Sequence, residues 1–246
     1  MESRKNHCTA VVLAAGSGKR MGGQIPKQFM LLGEKPVLWY SLHIMEQSAI
    51  IDDVILVTGD GMQDYCRENI VKKYGFQKVR AIVTGGKERY HSVAYGLRAV
   101  EADCDYVLIH DGARPFANPS IIERGMEAVV KYGACVVGMP VKDTIKISDE
   151  NGFCESTPNR NRVWLIQTPQ IFSYPLIHGA YEKLLQEEKR LLEKGVAITD
   201  DAMVAELFTD HKVKFVEGSY QNIKLTTPED LEIAEVFLKH ENDSAP

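Results

Sequence analysis

The sequence predicts an α/β fold: a mostly parallel sheet with helices on both faces, plus a protruding β-hairpin arm. Short apolar runs rich in β-branched residues alternate with stretches of helical period, the pattern of strand–helix–strand crossovers and hence of parallel pairing. Glycine-rich turns close the first and third of these runs, at the end where open α/β sheets hold ligands. One segment departs from this pattern and alternates in period two around an Asn-Gly pair. At 246 residues, 44% hydrophobic and 26% charged, the chain fits one domain (residues 1–246) with the arm at 141–162 as an excursion.

The first strand is Ala10-Val11-Val12-Leu13-Ala14-Ala15, apolar on both faces. It gives way to a loop holding Gly16, Gly18, Gly22 and Gly23 together with Lys19, Arg20 and Lys27. Glycines let the backbone turn its N–H groups toward a ligand, and such a concavity binds anions. The added cations favour a polyphosphate over a carboxylate. The loop is not a Walker A, because no Gly-Lys-Ser/Thr follows at the required spacing. It also lacks the third glycine of the dinucleotide fingerprint, since Lys19, Arg20 and Met21 follow Gly18, which argues against an oxidoreductase.

A helix with an apolar stripe (Val37, Leu38, Leu42, Met45) opens at Lys35-Pro36. The second strand is Asp53 to Thr58, followed by an exposed helix from Met62 to Tyr74 and a third strand from Val79 to Val83. That strand ends in Thr84-Gly85-Gly86-Lys87-Glu88-Arg89, a second glycine turn beside the first, and a helix runs from Tyr90 to Val100. The next run delivers Asp111 at its carboxyl end, on the same side. A triphosphate travels with Mg²⁺, which takes one or two carboxylates plus phosphate oxygens, and Asp111 is the candidate ligand. His110 is assigned no role.

Asn118-Pro119 caps a helix to Tyr132, and Ala134 to Pro140 is a further strand. Lys142 to Ser148 then alternates in period two, Asn151-Gly152 signals the turn, and Phe153 to Pro158 returns. A lone hairpin is marginal in water, so a twin arm from a second subunit is expected to cover it. Tyr174 to Lys194 reads as a solvated amphipathic helix. Thr199-Asp200-Asp201-Ala202 reads as the cap of a helix from Met203 to Leu207, and Asp200 with Asp201 as capping groups in preference to a second metal site; a supporting role near an acceptor is the alternative. A late strand, Val213 to Val216, and a helix starting at Thr227-Pro228 complete the order.

A net charge of −5 argues against a nucleic-acid surface. Five cysteines with no CxxC pair suggest reduced thiols in packing roles. No apolar run approaches the roughly 20 residues that span a bilayer, and the opening MESRKNHC lacks the apolar core of a signal peptide. A cytoplasmic protein that contacts neither membrane nor nucleic acid is expected.

The string LAAGSGKRM followed by Pro26-Lys27-Gln28-Phe29 resembles the signature of the nucleotidyltransferases that activate sugar and polyol phosphates, and within that family its cytidylyltransferase branch. The resemblance runs from about Cys8 to Leu238. It implies a Rossmann-like fold, Mg²⁺ as cofactor, and transfer of a cytidylyl group from CTP to 2-C-methyl-D-erythritol 4-phosphate in the non-mevalonate isoprenoid pathway. Ribitol 5-phosphate is the alternative acceptor, and a non-catalytic nucleotide-binding regulator is the alternative of another class. The resemblance assigns Ala14, Ala15, Gly16, Gly18, Gly85, Gly86, Arg89 and Ser92 to the nucleotide. It assigns Arg20, Lys27, Arg160 and Lys224 to catalysis, Arg114, Thr144 and Thr168 to the acceptor, and Asp111 to the metal. It also implies a homodimer whose arm carries Arg160 into the neighbouring site. By the same resemblance, Lys87 stands where some relatives carry an acidic residue and Arg162 where some carry a small one.

Overall fold

The computed structural model of the protein describes residues 6–16 and 26–244. The chain begins with β1 (Cys8–Ala14), a small β2 (Leu31–Leu32) and β3 (Lys35–Pro36) pair, α1 (Val37–Gln47) and β4 (Asp53–Thr58). It continues through α2 (Gln63–Cys66), β5 (Val79–Thr84), α3 (Arg89–Arg98), β6 (Tyr106–Asp111), α4 (Pro119–Tyr132) and β7 (Ala134–Pro140). The arm pair β8 (Ile147–Ser148) and β9 (Cys154–Ser156) follows, then β10 (Trp164–Ser173), α5 (Tyr174–Glu193), α6 (Asp201–Phe208), β11 (Lys214–Glu217) and α7 (Pro228–Ser244).

Seven strands form one sheet in the order β11-β7-β10-β6-β1-β4-β5. β1 pairs in parallel with β4 and β6, β4 with β5, and β7 with β11, as the alternating pattern predicts. β10 alone among them runs antiparallel, against both β6 and β7. The arm accounts for the reversal. The chain leaves β7 into a hairpin excursion and returns directly, without the helical crossover that a parallel neighbour needs.

The strands alternate between two apolar layers, so both faces of the sheet are covered and the runs read as continuously hydrophobic. Val11, Val57 and Ile109 meet Val93, Leu97, Tyr181, Leu184 and Val204 of α3, α5 and α6. Val12, Leu56 and Leu108 meet Leu38, Leu42, Ile122 and Val129 of α1 and α4 on the other face. Each large side chain buried this way contributes about 1.5–3 kcal/mol. A third cluster of Leu32, Val37, Phe116, Leu225 and Ala234 docks α7.

Local side-chain caps set the starts of α3, α4 and α6. The Asn118 side chain accepts from the Ile121 N–H (3.0 Å), and Gly133 closes α4 at φ 76°; such a cap is worth about 1 kcal/mol. α6 starts two residues before the predicted Met203, because Asp200 accepts from the Met203 N–H at 2.9 Å. The 62–74 helix widens into π-type turns over Arg67–Lys72 and buries Cys66 and Ile70, so its inner face packs on the sheet.

No disulfide forms, and four of the cysteines are buried. Burial pushes the Cys66 and Cys135 thiols up to about 12, which leaves neither nucleophilic at neutral pH. Cys154 is exposed on the arm, where it has no packing role. Among the described residues no helix is long and apolar enough to cross a membrane.

Candidate active site

A cavity of about 450 Å³ opens at the carboxyl ends of β1, β5 and β6. Its walls are Leu13 to Gly16 at the end of β1 and just beyond it, Lys27 and Gln28, the Gly86-to-Arg89 turn with Ser92, and Asp111, Ala113, Lys224 and Thr226. The two glycine turns predicted to lie side by side do so. A Cβ at Gly85 would stand 2.5 Å from Ala15 Cβ and 2.7 Å from Ser92 Oγ, so the first loop and the third strand approach this closely only because position 85 lacks one. The Gly86 N–H donates to Ser92 Oγ (3.1 Å), and a reciprocal cap between Glu88 and His91 starts α3 with Arg89 pointing into the site. Across the cavity, buried Gln28 donates to the carbonyls of Ala14 (2.6 Å) and Gly16 (3.1 Å), which holds the lip of β1 beside Lys27.

Charges alternate along the cavity wall. Asp111 Oδ2 accepts from Lys224 Nζ at 2.6 Å, and its Oδ1 accepts from Arg89 Nε at 3.2 Å. Arg89 places both terminal nitrogens on the two oxygens of Asp201, each at 2.9 Å. Asp201 also accepts from the Tyr181 hydroxyl at 2.5 Å. Burial alone would raise the Asp111 carboxyl, but Arg89 and Lys224 outweigh it and hold the group well below the usual carboxylate range. Burial likewise opposes the Arg89 charge, and the Asp201 and Asp111 carboxylates more than offset this, raising its pKa above the ordinary guanidinium value.

Beneath this wall lies a buried polar layer. The Asp111 N–H donates to Thr168 Oγ1 (3.0 Å), which also contacts His110 Nδ1 (3.2 Å). His110 Nε2 lies 3.2 Å from the Arg114 carbonyl, and Arg114 donates to the Asn222 carbonyl (2.8 Å). Burial pushes the His110 pKa down to about 4, so the ring is neutral at pH 7. Asn222 Nδ2 donates to the Thr168 carbonyl (2.9 Å), and Leu225 N–H to the Ala113 carbonyl (2.9 Å), which brings the 222–226 segment with Lys224 against β6.

The predicted site residues thus divide. Ala14, Ala15, Gly16, Lys27, Gly86, Arg89, Ser92, Asp111 and Lys224 line the cavity, and Gly85 packs behind it. Arg114 and Thr168 belong to the polar layer below it. Thr144, Arg160 and Arg162 are exposed on the arm and its root, with Arg160 donating to the Lys142 carbonyl (3.1 Å). Gly18 and Arg20 lie outside the described residues, as do Lys19, Gly22 and Gly23. The reading of both paired aspartates as caps needs correction. Asp200 caps α6, but Asp201 is fully buried and paired with Arg89.

The family model for 2-C-methyl-D-erythritol 4-phosphate cytidylyltransferase matches residues 8–240. The chain belongs to this family. It is 48% identical over 235 residues to the 2-C-methyl-D-erythritol 4-phosphate cytidylyltransferase of Lachnoclostridium phytofermentans, covering 96% of this chain and 97% of the relative. It is 49% identical over 231 residues to the enzyme of that name from Lachnospira eligens, covering 94% and 99%. The crystal structure of 4-diphosphocytidyl-2C-methyl-D-erythritol synthase from Anaerococcus prevotii superposes with a TM-score of 0.83 at 36% identity, covering 96% of this chain and 97% of that one. The reaction of the family is cytidylyl transfer from CTP to 2-C-methyl-D-erythritol 4-phosphate in isoprenoid biosynthesis, and it is the reaction of this chain.

Several site residues of this cytidylyltransferase carry signals that sequence reasoning left unused. Gln28 and Gln170 were visible as the last letters of Pro-Lys-Gln and Thr-Pro-Gln. Gln170 donates to Asp200 (3.0 Å) and accepts from the Ala202 N–H (2.9 Å), so the segment whose Thr168 holds Asp111 also holds α6. Tyr181 sat in a helix read as solvated, and its burial follows from the helical stripe Ile177, Ala180, Tyr181, Leu184.

Proposed function

We propose that the cavity binds CTP and methylerythritol phosphate side by side and that two copies of the chain complete each site. The reading rests on the Lys224–Asp111–Arg89 alternation in the wall of a 450 Å³ cavity that Lys27 also lines. An acceptor phosphate oxygen attacks the α-phosphorus in line, the bond to the bridging oxygen breaks, and pyrophosphate leaves without a covalent enzyme intermediate. Such chemistry depends on positioning and on neutralising charge spread over phosphoryl oxygens. Arg20 and Lys27 take that charge on the reacting phosphorus and the leaving group. Lys224 has three N–H donors and shares its ammonium between Asp111 and the acceptor phosphate. Ala14, Ala15, Gly16, Gly18, Gly85, Gly86 and Ser92 form the nucleotide pocket, and Arg89 stands near the phosphates.

The donor set fits Mg²⁺ held jointly with substrate. Among the described residues no three His, Cys, Asp or Glu side chains converge to hold an ion, whereas Asp111 alone with phosphate oxygens is the arrangement Mg²⁺ takes in nucleotide sites. When bound, the ion would orient the triphosphate and neutralise its charge. The arm supports a homodimer: Ile147 and Phe153 are exposed there, and Thr144 and Arg160 are exposed and do not line their own chain's cavity. A second copy would cover this apolar surface and receive Arg160 and Thr144 at its acceptor site. The single domain with its arm at 141–162 works in the cytoplasm on this reading, in keeping with thiols that form no disulfide.

The test is pyrophosphate release with CTP and Mg²⁺, comparing methylerythritol phosphate with ribitol phosphate. Release with the former alone is expected. Release with ribitol phosphate alone would move the acceptor, and CTP binding without release from either would leave a nucleotide-binding regulator.

A further inference from the structure

Asp201 does not line the cavity, and it does not cap α6, since Asp200 does that. Its side chain is 0% exposed, and burying a carboxylate is costly unless it is paired. Here both oxygens are taken by the Arg89 fork at 2.9 Å, and the Tyr181 hydroxyl of α5 adds a third bond at 2.5 Å. The Gln170 side chain ties the start of α6 to β10 through Asp200 and the Ala202 N–H, so the backbone carrying the carboxylate is anchored to the sheet.

We propose that Asp201 is a positioning residue for cytidylyl transfer, holding the Arg89 guanidinium edge-on so that only Nε reaches Asp111. A guanidinium beside an available carboxylate closes on it with two parallel N–H bonds. With its terminal nitrogens occupied by Asp201, Arg89 offers Asp111 one contact of 3.2 Å, and the other Asp111 oxygen is left to Lys224 at 2.6 Å. Without the Asp201 charge, the Arg89 fork turns onto Asp111 and competes with Lys224 for it. Asp201 also balances the wall, where Lys224 and Arg89 would otherwise face Asp111 alone. Tyr181 acts one step further back, fixing Asp201.

The inference rests on the proposed roles of Asp111 and Lys224, and a double-mutant cycle separates the two. kcat/KM for CTP is measured for Arg89→Gln, Asp201→Asn and the double variant, with thermal unfolding of each. Arg89→Gln is expected to lose about 10²-fold and Asp201→Asn about tenfold, within the range that a displaced group near the chemistry costs. The double variant is expected to be no worse than Arg89→Gln, because Asp201 acts through Arg89. Losses that multiply would overturn the inference. Wild-type activity of Arg89→Gln would instead overturn the reading of the site. Removing both charges of a buried pair is commonly tolerated, whereas removing one leaves the other uncompensated. If Asp201→Asn fails to fold, Tyr181→Phe carries the same test. A loss of about threefold in the wild-type background that vanishes with Arg89→Gln supports the positioning role, and an equal loss in both backgrounds refutes it.

Discussion

Asp111 in the cavity wall and Arg160 at the root of the arm are both assigned to the same reaction, yet their surroundings differ in kind. Asp111 is 7% exposed and is held through its N–H by Thr168 and through its carboxylate by Lys224 and Arg89. Arg160 is exposed and gives one hydrogen bond to the Lys142 carbonyl. The arm's own pairing is limited to Ile147–Ser148 against Cys154–Ser156, with Phe153 72% exposed at its tip. A group that must be preorganised within one chain is fixed by that chain's buried hydrogen bonds. In the proposed dimer, Arg160 acts on another copy and is left on a surface that the other copy would complete.

The sharpest way to break the comparison is at the cavity. Lys27→Ala is expected to lower turnover by about 10² or more while leaving the fold intact, the scale of removing one charge-stabilising donor. Steady-state kinetics with a melting curve checks this, and near-wild-type turnover would remove Lys27 from the chemistry.

The buried layer under Asp111 predicts an acid response. His110 has a folded pKa of about 4 against 6.5 for the free group. Between these values the unfolded chain takes up a proton that the folded chain excludes. Its contribution is therefore fully present above pH 6.5 and is lost as pH falls toward 4, by roughly 3 kcal/mol in all. Urea unfolding across this window should show the fall for the wild type and a smaller one for a folded His110→Gln variant. An identical fall in both would assign it elsewhere.

Gly85→Ala comes next, with an expected cost of about 1–3 kcal/mol for overpacking against Ala15 and Ser92. CTP binding by calorimetry should weaken with it, and unchanged affinity would show that the two turns can separate freely. The smallest effect on the fold is expected at the arm. Phe153→Ser should change subunit stability by no more than about 0.5 kcal/mol, as an exposed substitution does, while weakening association in sedimentation.

The cavity was largely legible in the sequence because its parts are local. Glycines at strand ends and Asp111 after an apolar run lie in short motifs, whereas Lys224 is reached only through the family resemblance. The strands of the parallel sheet were legible for the same reason. The reversed β10 was not, since its direction depends on where the chain re-enters after the arm. Asp201 was legible only as a surplus. One aspartate suffices for the cap, and what the second one does depends on Arg89, which is 112 residues away in sequence. Tyr181 was hidden by the charged residues that share its helix, whose outer face is solvated as expected. The extent of the arm's pairing was overread, because period-two alternation alone does not supply the packing that a two-stranded ribbon needs.

The central claim, that a self-supporting cavity is completed by another copy's arm, is tested by mixing two defective variants. Lys27→Ala spoils the cavity and keeps the arm, and Arg160→Ala does the reverse. After dissociation and random re-pairing, half of the dimers are mixed and one site in each of those is intact, so turnover should return to about a quarter of wild type. Turnover that stays at the mean of the two variants alone would contradict the account and confine the reaction to a single chain.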